Sequence, residues 1–342
     1  MSERITPITF PNRDGLRLVG MLHEPSAGGR RDVAIVLLSP GVKTRVAPHR
    51  LYNKMAAALT AHGFTVLRFD FYGLGDAEGE VPLRLLRDLY GSVALGRYVN
   101  DTKDALDWLS RTHGYDRVVA GGLCGGALTA LLTAGSDPRI AGVIAIGLPV
   151  MLDSADLDPR QFMTVGQLTD LRGRYFEKAL NPKAWLRVIS GRTDFRLMAK
   201  SLGTLITRKP TATPVTPPTT TPATPAKAGP DAGRAGSVPP ASTPAANTPQ
   251  PANMNPHFAP AFFGTAEAGR PLLLLFSQAD RLYWEFDEKF VAPNRARFDA
   301  CAPALDLHVI ASANHVLTFE SWQAEMLAHL RRWLDTRFAG RA

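Results

Sequence analysis

The residues best placed to do chemistry are in Gly122-Leu123-Cys124-Gly125-Gly126. This is the nucleophile-elbow pattern G-x-S-x-G with Cys in the Ser position. A nucleophile held on a tight strand-to-helix turn takes strained backbone angles, and side chains at the flanking positions would strike the neighbouring strand and helix. A thiol there also sits at a helix N-terminus, where the dipole and free N–H groups favour the thiolate. The N–H of Gly125 would face an oxyanion formed on an attacked carbonyl. The expected chemistry is nucleophilic attack by Cys124 with a covalent acyl-enzyme. The competing reading of the same five residues is a packed structural Cys in an ordinary Gly-rich turn.

The order of residues further along the chain separates the two readings. Elbows of this kind are followed in sequence by an acid and then a His. The apolar run Pro271–Ser277 empties into Gln278-Ala279-Asp280, and Leu305–Ile310 empties into Ala311-Ser312-Ala313-Asn314-His315. Both polar residues fall just past strand ends, where open α/β sheets place ligands and catalytic groups. Asp280 is expected as the acid and His315 as the base. Glu285 and Asp287 are substitutes for the acid within the same stretch. Asp280 also reads as a helix N-cap and His315 as a surface loop residue.

The elements that must position these residues follow from hydrophobic patterning. Residues 5–24 read as two strands around Asn12-Arg13-Asp14-Gly15, a hairpin signal. Asp32–Leu38, Phe64–Asp70, Arg117–Gly122, Ile140–Ile146, Pro271–Ser277 and Leu305–Ile310 are near-continuous apolar runs, as for strands buried on both faces. Helical periodicity separates them at 49–62, 92–113, 126–134, 284–298 and 319–338. Strand–helix alternation of this kind predicts an α/β fold, a mostly parallel sheet with helices on both faces.

The alternation breaks between 151 and 256. Residues 151–206 read as helices without strands, a helical cap in which Met163, Tyr175, Phe176 and Trp185 are candidates to line a substrate pocket. Residues 207–256 are mostly Pro, Ala and Thr, with 13 of the chain's 27 prolines between Pro210 and Pro256. That composition cannot bury enough apolar surface to offset its ordering entropy, so a disordered or polyproline-like linker is expected. The core is then 1–150 together with 257–342.

Composition excludes several classes. Two cysteines, Cys124 and Cys301, cannot build a disulfide framework or a Cys-rich zinc site. The net charge is +8, of which the linker holds +3, and no basic stripe interleaved with aromatics appears, so nucleic-acid binding is not expected. No apolar run is long enough to span a bilayer and no secretory leader is visible, so the expected location is cytoplasmic. No metal or cofactor is expected, the expected partner is a small acyl substrate, and the oligomeric state is left open.

With these residues in view, the chain resembles the α/β-hydrolases, in the group called serine-aminopeptidase-like hydrolases. Ser39-Pro40-Gly41-Val42 occupies the place of that family's oxyanion loop, which implies Gly41 and Val42 beside Gly125 as oxyanion-hole residues. Phe69-Asp70-Phe71-Tyr72-Gly73-Leu74-Gly75-Asp76-Ala77 resembles the family's D-x-R-G-x-G-x-S segment, with Ala77 in place of the usual Ser. Thr44-Arg45-Val46-Ala47-Pro48-His49-Arg50, the Cys elbow and the stretch from Tyr175-Phe176 to Trp185–Arg192 resemble hydrolases encoded with bacterial exosortase and exopolysaccharide systems. Dienelactone hydrolases and polyhydroxyalkanoate synthases also carry Cys at the elbow. The resemblance implies ester or thioester hydrolysis through Cys124, His315 and Asp280. Acyl transfer from the same Cys acyl-enzyme is the first alternative, and a degenerate, binding-only hydrolase fold the second.

Overall fold

The structure, a computed structural model, describes residues 3–25, 30–81, 85–152 and 253–339, all within one compact unit. Its centre is an eight-stranded sheet in the order β1-β2-β4-β3-β5-β6-β7-β8. The strands are β1 (Glu3–Pro11), β2 (Arg17–Pro25), β3 (Ala34–Leu38), β4 (Val66–Asp70), β5 (Val118–Leu123), β6 (Ile140–Ile146), β7 (Leu272–Ser277) and β8 (Leu305–Ile310). The β1–β2 and β2–β4 pairs are antiparallel and all others parallel. Parallel neighbours need crossover helices, and these cover both faces.

Each inner strand divides its side chains between two cores, as the two-residue period requires. Ala34, Val36 and Leu38 of β3 face one core, and Ile35 and Leu37 face the other. The second core is closed by α1 (Leu51–Thr60) and the C-terminal α8 (Glu320–Arg337). The first is closed by α2 (Leu86–Ala94), α3 (Val99–His113), α4 (Gly125–Ala134) and α5 (Phe258–Glu267). Burying such a side chain fully contributes about 1.5–3 kcal/mol, so doubly buried strands anchor the sheet and leave its C-terminal ends free to carry loops. No helix among the described residues is long and apolar enough to cross a membrane.

Three expectations are corrected here. The helix expected over 92–113 is two helices, α2 and α3, separated at Leu95–Tyr98, where Gly96 takes a left-handed φ of 97°. The helix expected over 284–298 starts earlier and is broken into α6 (Arg281–Glu285), a π-turn Phe286–Val291, a single 3₁₀ turn at Ala292–Asn294 and α7 (Arg295–Ala300). Pro293 lacks the N–H that a continuous helix would use. Residues 253–255, assigned to the linker by composition, are instead packed on the core. Met254 bridges Met151, and the buried Asn255 donates to the carbonyl of Ala94 at 2.7 Å.

The helix α5 was not evident in the sequence. Pro260 falls in its first turn, where a missing N–H costs nothing, and Phe258 and Phe262 lock it against Phe290 at centroid distances of 4.7 and 5.0 Å.

Candidate active site

Cys124 occupies the turn between β5 and α4 with φ 55° and ψ −118°, a conformation L-residues rarely adopt. Its N–H donates to Ile146 at 2.8 Å, and its carbonyl accepts from Leu128 at 3.1 Å, so the strained residue is held from both sides. A Cβ on Gly122 would lie 2.7 Å from the Leu38 carbonyl oxygen, and one on Gly126 would collide with that same atom. The flanking glycines are therefore required by the approach of β3 beneath the turn.

Tyr52 is a support that the sequence did not single out. Its side chain is fully buried; the hydroxyl donates to the Leu38 carbonyl at 2.8 Å and accepts from the Leu123 N–H at 2.7 Å. Burial pushes its pKa upward, which keeps the phenol neutral and able to donate. In the sequence Tyr52 is one more large residue on the buried face of α1, and nothing marks its hydroxyl. Tyr52→Phe should leave that carbonyl and N–H unsatisfied beside the nucleophile, lowering stability by about 1–3 kcal/mol. It should also cost about tenfold or more in kcat, because Leu123 adjoins Cys124 and small displacements of reacting groups are expensive. Urea unfolding and steady-state kinetics on the same preparation check both effects.

His315 and Asp280 stand where the sequence placed them, beyond β8 and β7. Asp280 Oδ2 accepts from His315 Nδ1 at 2.6 Å. Its other oxygen accepts from the Leu282 N–H at 3.2 Å and caps α6. Asp280 is thus both an N-cap and the partner of His315, one oxygen for each. The pair packs over Gly147 at the end of β6, where a Cβ would sit 3.3 Å from the imidazole Cε1. His315 and Cys124 share one wall of the cavity. Burial pulls the imidazole pKa down, but the hydrogen bond and charge of Asp280, with Cys124 acting in the same direction, outweigh it and raise it to about 10. Glu285 is buried on α6 within 3.6 Å of Arg281, and Asp287 follows in the π-turn; neither displaces Asp280 from His315.

The oxyanion-loop residues lie against the elbow. A Cβ on Gly125 would be 2.6 Å from Gly41 Cα and 2.9 Å from its nitrogen, so these two backbones touch. Gly125 opens α4, and an N–H in the first turn has no intrahelical acceptor. Gly41 takes φ 60° in a turn closed by Lys43 N–H to the Pro40 carbonyl at 3.1 Å, and Val42 packs on the first core. The loop is tied down from behind. Asp70, fully buried at the end of β4, accepts from the Arg45 N–H at 2.6 Å and the Asp76 N–H at 3.2 Å, and is ion-paired with the Arg45 guanidinium.

A cavity of about 360 Å³ opens on this constellation. Cys124, Gly125 and His315 form its reactive wall, and Val93, Leu128 and Met151 an apolar one. Met163, Tyr175, Phe176 and Trp185, the candidate pocket residues of the cap, lie outside the described residues, as does the linker up to 252.

The eight-stranded sheet, the strained elbow and the acid and His on the loops after β7 and β8 define an α/β-hydrolase fold. Within that class the chain belongs to the family described as serine aminopeptidase, S33, whose model matches residues 31–210. It is 29% identical over 148 residues to the thiohydrolase apmlB of Arthrinium phaeospermum, a match spanning 43% of each chain. The chain therefore covers less than half the length of that relative. Among solved structures it is similar to the Pyrococcus furiosus esterase Pf2001, at 16% identity and a TM-score of 0.54, covering 98% of this chain and 92% of that one. It is also similar to hypothetical protein PA2218 of Pseudomonas aeruginosa, at 16% identity and a TM-score of 0.51, covering 98% and 94%. At these identities the structural likenesses speak for the fold alone.

Proposed function

We propose that the protein hydrolyses a carboxylic ester or thioester through Cys124, His315 and Asp280. The observation that carries this reading is the hydrogen-bonded Asp280–His315 pair set beside Cys124 on the wall of one cavity. His315 is the group placed to take the thiol proton from Cys124, and the carboxylate of Asp280 holds and stabilises the imidazole that receives it. The Cys124 thiolate attacks the carbonyl carbon, and the N–H groups of Gly125 and the Gly41–Val42 turn receive the oxyanion. Collapse of the tetrahedral intermediate expels the alcohol or thiol, which takes the proton from His315. The thioester then formed on Cys124 carries no charge. One of the influences that held the proton on His315 is gone, and the ring is the better base for the water that releases the acid.

The apolar side of the cavity at Val93, Leu128 and Met151 suits the acyl group. The thiohydrolase name of one relative agrees with a thioester as substrate. A role in bacterial exopolysaccharide metabolism rests on the resemblance carried by residues 44–50, the Cys elbow and residues 175–192.

Incubation with p-nitrophenyl esters and acyl thioesters of graded chain length, followed by rapid quenching and intact-mass measurement, tests the reading. The expected result is a burst of leaving group and a mass increase equal to one acyl group, located on Cys124. Adding an alcohol or amine acceptor separates hydrolysis from acyl transfer, since transfer yields the new ester or amide instead of the free acid. A protein that forms no adduct and turns over none of these donors is a binding protein on a hydrolase fold.

A further inference from the structure

A second cluster of ligating side chains lies away from the cavity, between β8 and α8. His308 of β8 faces Glu325 and His329 of α8, and one ligand atom from each lies within 4.8 Å of the others. His308 Nε2 is 2.7 Å from Glu325 Oε1, and the His308 and His329 rings stack with centroids 3.4 Å apart. All three side chains are half-buried, open to solvent on one side.

The scaffold under them is firm. Glu325, His329, Trp333 and Arg337 recur every four residues and form one stripe of α8. Asp306 and His308 share one face of β8. Asp306 accepts from Trp333 Nε1 at 3.0 Å and from Arg337 Nη2 at 2.8 Å, which fixes the register of helix on strand two residues before His308. The three candidate ligands are therefore held by elements that cannot slide.

We propose that His308, Glu325 and His329 form a binding site for a divalent transition-metal ion of the zinc type, which ties β8 to α8 on either side of the loop that carries His315. Two imidazoles and one carboxylate are a zinc donor set that leaves a fourth position for water. Imidazole and carboxylate without thiolate favour Zn²⁺, Co²⁺ and Ni²⁺ over softer ions. Bonds of about 2.0–2.2 Å place tetrahedral donors roughly 3.3–3.5 Å apart, so the stacked rings must fan open to take the ion between them. The exposed Arg332, whose Nη2 is 3.0 Å from His329 Nε2, swings away toward solvent when the ion enters. The expectation of a metal-free protein came from composition; the ligands are 17 and 4 residues apart in the chain and meet only through the packing of α8 on β8.

The test uses the full chain with Cys124→Ala, which removes the other place where sulfur and imidazole could hold a metal. Zn²⁺ is titrated against a chromophoric chelator, and Co²⁺ is followed by its visible absorption. One equivalent of either ion should bind, and Co²⁺ should show ligand-field bands without a thiolate charge-transfer band. His308→Ala and His329→Ala should each weaken binding at least tenfold. Zn²⁺ should raise Tm by several degrees in the parent and leave it unmoved in His308→Ala. Should either alanine variant unfold, Glu325→Gln keeps the size of the side chain and gives the same readout. Failure of the parent to bind at millimolar Zn²⁺, or unchanged affinity in the His variants, overturns the proposal. Neither result bears on the acyl-enzyme experiment, which uses Cys124 and no added metal.

Discussion

Cys124→Ala is expected to lower kcat on any ester or thioester substrate by at least about 10³-fold, while the folded structure is retained. The variant removes the thiol that would carry the covalent acyl group, and what remains is catalysis by binding and oxyanion stabilisation. A methyl side chain fits the position without new contacts, so thermal and urea unfolding should move by less than kcat does.

The chain offers its own control, because its second thiol differs in environment. Cys124 is half-exposed beside an imidazole whose pKa is about 10, whereas Cys301 is buried and burial raises its pKa. Iodoacetamide at neutral pH should therefore alkylate Cys124 much faster than Cys301, and activity should fall in step with Cys124 modification. Peptide mapping of a time course checks this; equal labelling of the two thiols would sink the proposed thiolate. Cys124→Ser should be informative in a different way. The substitution removes the sulfur that helps raise the imidazole pKa, so His315 should titrate lower than in the parent.

How much of this was visible beforehand depends on the kind of interaction. The β3, β4, β5 and β6 strands are legible because burial on both faces demands an apolar side chain at nearly every position. The elbow is legible because steric exclusion at Gly122 and Gly126 leaves a mark in the sequence itself. Asp280 was ambiguous between N-cap and partner of His315, and the structure assigns one oxygen to each task. Tyr52 was not legible, since a buried tyrosine and a tyrosine whose hydroxyl bridges two strands have the same periodicity. The breaks at Leu95–Tyr98 and 286–294 were missed because amphipathic spacing continues through them while the backbone does not. His308, Glu325 and His329 were invisible for the same reason that any tertiary cluster is: no local rule relates a strand residue to a helix stripe further along the chain.

Asp280→Asn should reduce kcat by about 10³–10⁴-fold and move the alkaline limit of activity to lower pH. Asparagine caps helices as well as aspartate, so its side-chain oxygen can keep the bond to the Leu282 N–H and preserve α6. What changes is the other half of the side chain. An amide NH₂ facing His315 Nδ1 donates where the carboxylate accepted, so Nδ1 must carry a lone pair and the ring's proton is forced to the side facing Cys124. A ring in that tautomer cannot take the thiol proton. The carboxylate charge that helped hold the imidazole pKa near 10 is lost as well. The sign follows directly: a raised folded-state pKa stabilises the protein fully below the unfolded value of about 6.5, and that contribution is lost as pH rises through about 10. The parent should therefore lose stability from His315 across this window, and Asp280→Asn should lose less over the same range because its imidazole has less to give up. Chemical unfolding of both proteins from pH 6 to 10, with pH–kcat/KM profiles alongside, measures the two effects separately. Asp280→Ala discriminates further, since it removes the cap too and should cost about 1 kcal/mol more in stability than Asp280→Asn. If Asp280→Asn instead keeps near-parental kcat and an unshifted alkaline limb, the imidazole is governed by Cys124 alone, and Asp280 serves only as the cap of α6.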